Sequence, residues 1–218
     1  MKEIIVVAGP TASGKSDFAV NLALQNKGEI VSVDSRQIYR GLDIGTGKIT
    51  KEEMKGVPHH LLDIYDVGEE VSVSDFVDKA LIVIEEIFAR GHTPILCGGT
   101  GQYIFGIIYE NTFPKVEPNK NLREELEKLN TEELVARLLV SDPLRAQNID
   151  TRNRRRLIRA IEIAEVLGHV PELEKLKPRF KTKIYLMNPT REQLRERIEA
   201  RLTARLAIGM LDEGRKIF

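Results

Sequence analysis

Eight residues near the start of the chain, Gly9-Pro10-Thr11-Ala12-Ser13-Gly14-Lys15-Ser16, have the chemistry to hold a phosphate. They match G-x-x-x-x-G-K-[ST]. The glycines let the backbone curl so that successive N–H groups point inward at phosphate oxygens. A helix beginning there adds a favourable dipole. Lys15 would reach a terminal phosphate and Ser16 a Mg2+ ion. Asp34, in "SVDSRQIYRGLDIGTGK", is a second candidate. It can serve a binding edge or simply cap the following turn, and position alone leaves both open. Arg152, Arg154, Arg155, Arg156 and Arg159 crowd one helix start. Arginine pairs bidentately with phosphate, so the cluster suits a nucleic-acid contact or a solvated face. His59 and His60 lack metal-ligand spacing and are expected to be packed or hydrogen-bonded. Cys97 is the one cysteine, expected to be a small buried residue at a strand end.

The loop alone would suggest a kinase or NTPase. Such proteins generally carry a second apolar strand ending in a metal-binding carboxylate. Here the matching strand ends "ILCGGTG", without one. That weakens the phosphoryl-transfer reading. It leaves room for a diphosphate bound as a leaving group.

The elements that must position these residues follow from periodicity. "EIIVVAG", "EIVSVD" (29–34), "TPILCGG" and "KTKIYLMNPT" (181–190) read as strands. A helix is predicted from Gly14 to about Asn26, and another over "SVSDFVDKALIVIEEIFARG" with Ser74 as candidate N-cap. Strands alternating with helices imply a mostly parallel sheet covered on both faces. From about Phe113 to Pro178 no strand is expected. "LREELEKL", "TEELVARLLVSD" and "RNRRRLIRAIEIAEVLG" read as helices of an insertion. The last stretch, from Thr190 on, is helical with Leu194, Ile198 and Leu202 on one face. The expected organisation is a core over 1–112, a helical insertion over 113–178 and a return to the core over 179–218.

Composition sets outer bounds. Lys plus Arg and Asp plus Glu both number 33, so the net charge is zero. No overall field draws the chain to nucleic acid, although a local basic patch remains possible. A single cysteine forbids an intramolecular disulfide and fits a reducing compartment. "MKEIIVVAGP" is too short in apolar residues for a signal peptide, and no run approaches the ~20 residues of a membrane span. The expectation is a cytoplasmic monomer without membrane contact.

Taken together, "GPTASGKS", "DSRQIYRGLDIGTGK", "PHHLLDI", "GGTGQYI", "RNRRRLIRAIE" and "NPTREQLRERIEARL" resemble the tRNA dimethylallyltransferases, in the family's order and spacing. The resemblance covers essentially the whole chain, although family members are longer at the C-terminus. It implies an α/β fold, P-loop NTPase-like, with a three-layer core, a parallel sheet and an all-helical insertion that clasps tRNA. It implies transfer of a dimethylallyl group from dimethylallyl diphosphate to N6 of adenosine 37, in tRNAs reading codons that start with U. Mg2+ would sit at Ser16. Asp34 matches the general base, Thr100 a threonine between diphosphate and base, and Lys15 and Arg201 diphosphate contacts. Ser35, Arg36 and Gln37, with Asp34 and Thr100, match the segment that reads the flipped adenine. Leu122, Arg155, Arg156, Leu157, Ile158 and Arg159 match further tRNA-contacting positions. Three other readings stand beside it: a small-molecule P-loop kinase, a prenyltransferase of free adenine nucleotides, and a truncated, inactive tRNA-binding remnant.

Overall fold

The computed structural model describes residues 1–110, 113–114, 116–172 and 176–217. In chain order its first elements are β1 (Glu3–Ala8), α1 (Lys15–Asn26), β2 (Gly28–Ser32), α2 (Lys51–Met54), β3 (His59–His60), α3 (Val73–Ala89), β4 (Thr93–Gly98) and α4 (Gly101–Ile108). Next come α5 (Lys120–Leu126), α6 (Thr131–Ser141), α7 (Pro143–Asn148) and α8 (Arg154–Leu167). The chain closes with β5 (Lys181–Leu186), α9 (Arg191–Ala207) and α10 (Met210–Ile217).

The five strands form one parallel sheet in the order β3-β2-β4-β1-β5. Side chains alternate across its two faces. Ile5, Val7, Ile30, Ile95 and Cys97 face α1, which buries Ala19, Val20 and Ala23 against them. Their sequence neighbours Ile4, Val6, Val31 and Leu96 are fully buried too. A strand buried on both faces needs a continuous apolar run, and "IIVV" supplies one. α3 packs against α4, with the Phe76 and Tyr103 rings stacked at 3.8 Å.

Several expectations change in detail. α3 is capped by Ser72, not Ser74. The Ser72 hydroxyl accepts from Asp75 N–H, and the Asp75 carboxylate accepts from Ser72 N–H, closing a capping box. β3 was not anticipated: two residues carry no periodicity, and only pairing with Ile30 and Val31 makes them a strand. α7 was likewise missed. Asp142 ends α6 and caps α7, its side chain accepting from Arg145 N–H. The C-terminal stretch is two helices, because Gly209 at φ +100° turns the chain between α9 and α10.

The chain divides into two compact units, Met1–Glu110 with Lys177–Phe218, and Asn111–Leu176. The division falls two residues before the expected 113–178. The returning chain rejoins the first unit early: Glu110 N–H donates to Lys177 O (3.0 Å), and Arg179 N–H to Ile108 O (2.7 Å). Among its described residues, the elements of the second unit are all helices, α5 to α8. Leu126, Leu134, Leu138, Leu157, Ile158 and Ile161 form its core. Glu162 is buried there, held by Arg123 through two hydrogen bonds of 2.8 and 2.9 Å and by Asn119 N–H.

Candidate active site

The phosphate loop leaves β1 at Gly9 and enters α1 at Lys15, the strand–loop–helix setting its chemistry needs. Gly9 is required by space: a Cβ there would lie 2.8 Å from Met187 O and 2.9 Å from Ser13 Oγ. Gly14, at φ +83°, sits at the helix N-cap in the left-handed region. Lys15 lies below the loop, its Nζ donating to Pro10 O at 3.1 Å. Burial holds its ammonium below the usual lysine range, and the neighbouring Arg201 charge pushes the same way. An anion placed there would relieve both effects.

The carboxyl ends of β2 and β4 bring the second group in. Past β2, Val33 N–H donates to Cys97 O (2.9 Å), and Thr100 N–H returns to Val33 O (3.2 Å). The two exits run so close that a Cβ on Gly98 would lie 2.3 Å from Val33 O. This approach places Thr100 against the segment after Asp34: its Oγ1 accepts from Ser35 N–H at 3.2 Å. Asp34 Oδ1 accepts from Arg36 N–H at 2.9 Å. Asp34 therefore caps the turn and also stands at the carboxyl edge of the sheet.

One cavity joins these parts. Thr11, Lys15, Ser16, Asp34, Gln37 and Arg201 supply polar walls, and Ile30, Ile49, Leu62 and Cys97 apolar ones. Strand alternation orders one wall: Asp34, Ser32 and Ile30 succeed one another down the same face of the chain. Cys97 is no nucleophile. Burial pushes its thiol up to about 12, so it stays protonated beside Lys15 O, 3.7 Å away. A second cavity beside the loop is lined by Ser13, Lys15 and Ser16 and by two arginines of α9, Arg197 and Arg201. Arg197, which sequence reading missed, donates to Ser13 O at 3.4 Å. Its signal was available, because it lies four residues before Arg201 and so on the same helix face.

The IPP transferase family model matches residues 37–218. The tRNA dimethylallyltransferase of Roseiflexus sp. (strain RS-1) is 43% identical over all of this chain and 73% of its own length. The chain belongs to the IPP transferase family. Among solved structures, the full-length tRNA isopentenylpyrophosphate transferase of Bacillus halodurans is 39% identical, with TM-score 0.66 over 99% of this chain and 69% of its own. A eukaryotic dimethylallyltransferase acting on tRNA is 28% identical, with TM-score 0.83 over 98% of this chain and 55% of its own.

The IPP transferase core thus gathers Thr11, Lys15, Ser16, Asp34, Gln37 and Arg201 around one cavity and Ala12, Ser13 and Gly14 around the second, with Thr100 bonded to Ser35 beside Asp34. Arg36 is exposed, whereas Ser35 and Gln37 are half-buried. The helical unit requires corrections. Leu157 and Ile158 are core residues, 0% and 4% exposed, so their side chains cannot meet an RNA. Leu122 is half-buried against the same core. Arg159 is committed internally, donating to Val116 O (2.7 Å) and Glu162 (3.3 Å). Arg154 donates to Leu129 O at 2.8 Å. Arg155 and Arg156 are exposed, and among the described residues neither guanidinium donates a hydrogen bond.

Proposed function

We propose that this protein transfers the dimethylallyl group of dimethylallyl diphosphate to N6 of adenosine 37 in tRNAs reading codons that start with U. The observation that carries this reading is the single cavity where Lys15 and Asp34 meet beside an apolar wall. A phosphoryl-transfer reading is weaker, because β4 ends at Gly98 and is followed by Gly99, with no metal-binding carboxylate at that strand end.

In this reading the phosphate loop holds a diphosphate that departs. The N6–carbon bond forms as the carbon–oxygen bond to diphosphate breaks. Loop N–H groups, Lys15 and Arg201 face the charge growing on the leaving oxygen. Asp34 takes the N6 proton, and Thr100 keeps the Asp34–Gln37 segment in place through Ser35. Ser16 lines both cavities and would hold Mg2+. One hydroxyl suits that ion, which keeps waters and substrate oxygens as its other ligands and supplies charge neutralisation to the diphosphate. Among the described residues no cluster of three His, Cys, Asp or Glu offers a rival metal site. The adenosine must leave the anticodon-loop stack to reach the cavity, and unpaired loops permit that at modest cost.

The test is one assay with labelled dimethylallyl diphosphate, Mg2+ and two acceptors, an anticodon stem-loop and free AMP. Label in the stem-loop alone is expected. Label in AMP would move the enzyme to the nucleotide class, and ATP-dependent phosphoryl transfer would restore the kinase.

Among the described residues, Arg155 and Arg156 are the members of the helical unit's basic patch whose guanidiniums donate no hydrogen bond. Replacing both with alanine is expected to flatten the salt dependence of tRNA binding by about 1–2 in log Kd against log salt. An unchanged slope in a filter-binding titration would remove the patch from the tRNA contact.

A further inference from the structure

The glycine-rich stretch Asp43-Ile44-Gly45-Thr46-Gly47 reads in sequence as an ordinary turn. The two C-terminal helices grip it from both sides of its backbone. Glu213 of α10 accepts three successive N–H groups, from Asp43 (2.9 Å), Ile44 (2.7 Å) and Gly45 (2.8 Å). Such a run of N–H groups is an anion nest, and here a side-chain carboxylate fills it. On the carbonyl side, Arg205 donates to Gly45 O at 3.2 Å and Arg201 to Gly47 O at 3.1 Å. Gln37 Nε2 donates to the same Gly47 O at 3.1 Å. One carbonyl therefore sets two residues of the cavity wall, Arg201 beside the phosphate loop and Gln37 beside Asp34.

The fit is close enough to transmit a shift. A Cβ on Gly47 would lie 1.5 Å from Arg205 Nη2 and 2.1 Å from Arg201 Nη2. The guanidiniums lie directly on the loop backbone, so each takes its place from the loop carbonyl it donates to. Burial resists the charge on Glu213, yet the three N–H groups outweigh it and leave the carboxyl below its ordinary value. The carboxylate is thus ionised at neutral pH.

We propose that Glu213 is a positioning residue for prenyl transfer, latching loop 43–47 so that Gly47 O holds Arg201 and Gln37 at the cavity. The inference rests on the reading of that cavity as the dimethylallyl diphosphate site. It gives α10 a part in the reaction although none of its residues lines either cavity around the phosphate loop.

The experiment is a double-mutant cycle in the 218-residue protein between Glu213→Ala and Arg201→Ala. It is read as KM for dimethylallyl diphosphate and as Kd for inorganic diphosphate. Glu213→Ala alone is expected to raise both about tenfold and to lower kcat as well, because Arg201 also faces the leaving oxygen. In the Arg201→Ala background it should add less than about twofold, because the residue it acts through is gone. Glu213→Gln keeps one acceptor oxygen and should fall between. If Glu213→Ala fails to fold, Glu213→Gln carries the cycle. Multiplicative effects, or KM and Kd both unchanged in Glu213→Ala, would overturn the latch and leave Glu213 a stabilising contact only. The binding arm reads the coupling without turnover, so a chain with coupled diphosphate binding and no transfer would count against the activity and not against the latch.

Discussion

Asp34→Asn is expected to lower kcat for prenyl transfer by about 10²–10⁴-fold while leaving diphosphate affinity within about twofold. The amine at N6 of adenine is a poor nucleophile, because its lone pair is delocalised into the ring. A base that removes its proton as the new bond forms offsets that deficit. Asp34 is the one carboxylate lining either cavity that does not belong to the phosphate-loop helix or to α2. Asparagine separates its two roles. The side-chain oxygen can still accept from Arg36 N–H, so the turn that sets Ser35 to Gln37 is kept. What is lost is the capacity to take a proton. Asp34→Ala removes both and should be at least as slow. If Asn turns over near the wild-type rate while Ala does not, Asp34 acts through the turn and the base lies elsewhere. If both turn over normally, the assignment is wrong. Single-turnover rates with saturating tRNA separate this chemistry from binding.

Much of this site could be read before any coordinates, and the reason is locality. The phosphate loop, its strand and its helix are contiguous, and every requirement on them is met within some twenty residues. Asp34 was legible in position but not in function, because capping and catalysis ask for the same residue at the same strand end. The basic cluster was legible only as charge. Which arginines remain available depends on Glu162, three residues after Arg159, and on carbonyls of loops far off in sequence. Leu157 and Ile158 begin a stripe continued by Ile161 and Ala164, the spacing of a buried helix face, and that periodicity should have outweighed their neighbours' charge. The hold on loop 43–47 was invisible, because it joins residues about 150–170 positions apart by backbone groups that carry no sequence signature.

The largest effect on stability is expected from Arg90, at the foot of β2. Glu29, 2% exposed, lies there between Arg90, whose Nε and Nη2 donate at 2.9 and 2.8 Å, and the rings of His60 and His92, each 2.6 Å away. The burdens are unequal. Arg90 and His92 are partly solvated and can rehydrate, but the Glu29 carboxylate cannot. Arg90→Met should therefore cost about 3–5 kcal/mol, more than Glu29→Gln, because it strands a buried charge instead of removing it. The sign with pH follows. Arg90 above all, helped by His60 and His92 and opposed by burial, holds the Glu29 carboxyl at about 2 against an ordinary 4.5. A depressed carboxyl stabilises fully above its unfolded value and loses that contribution as pH falls through the folded one. Wild type should accordingly lose about 3 kcal/mol from this group between pH 4.5 and 2. In Arg90→Met the folded value rises, so its acid unfolding should begin at higher pH. Arg90→Lys, with a charge but no fork, should recover only part of the loss. Urea midpoints at pH 7 and along an acid series measure all four proteins. An Arg90→Met midpoint equal to wild type at pH 7 would show that desolvation of Glu29 already cancels the pair.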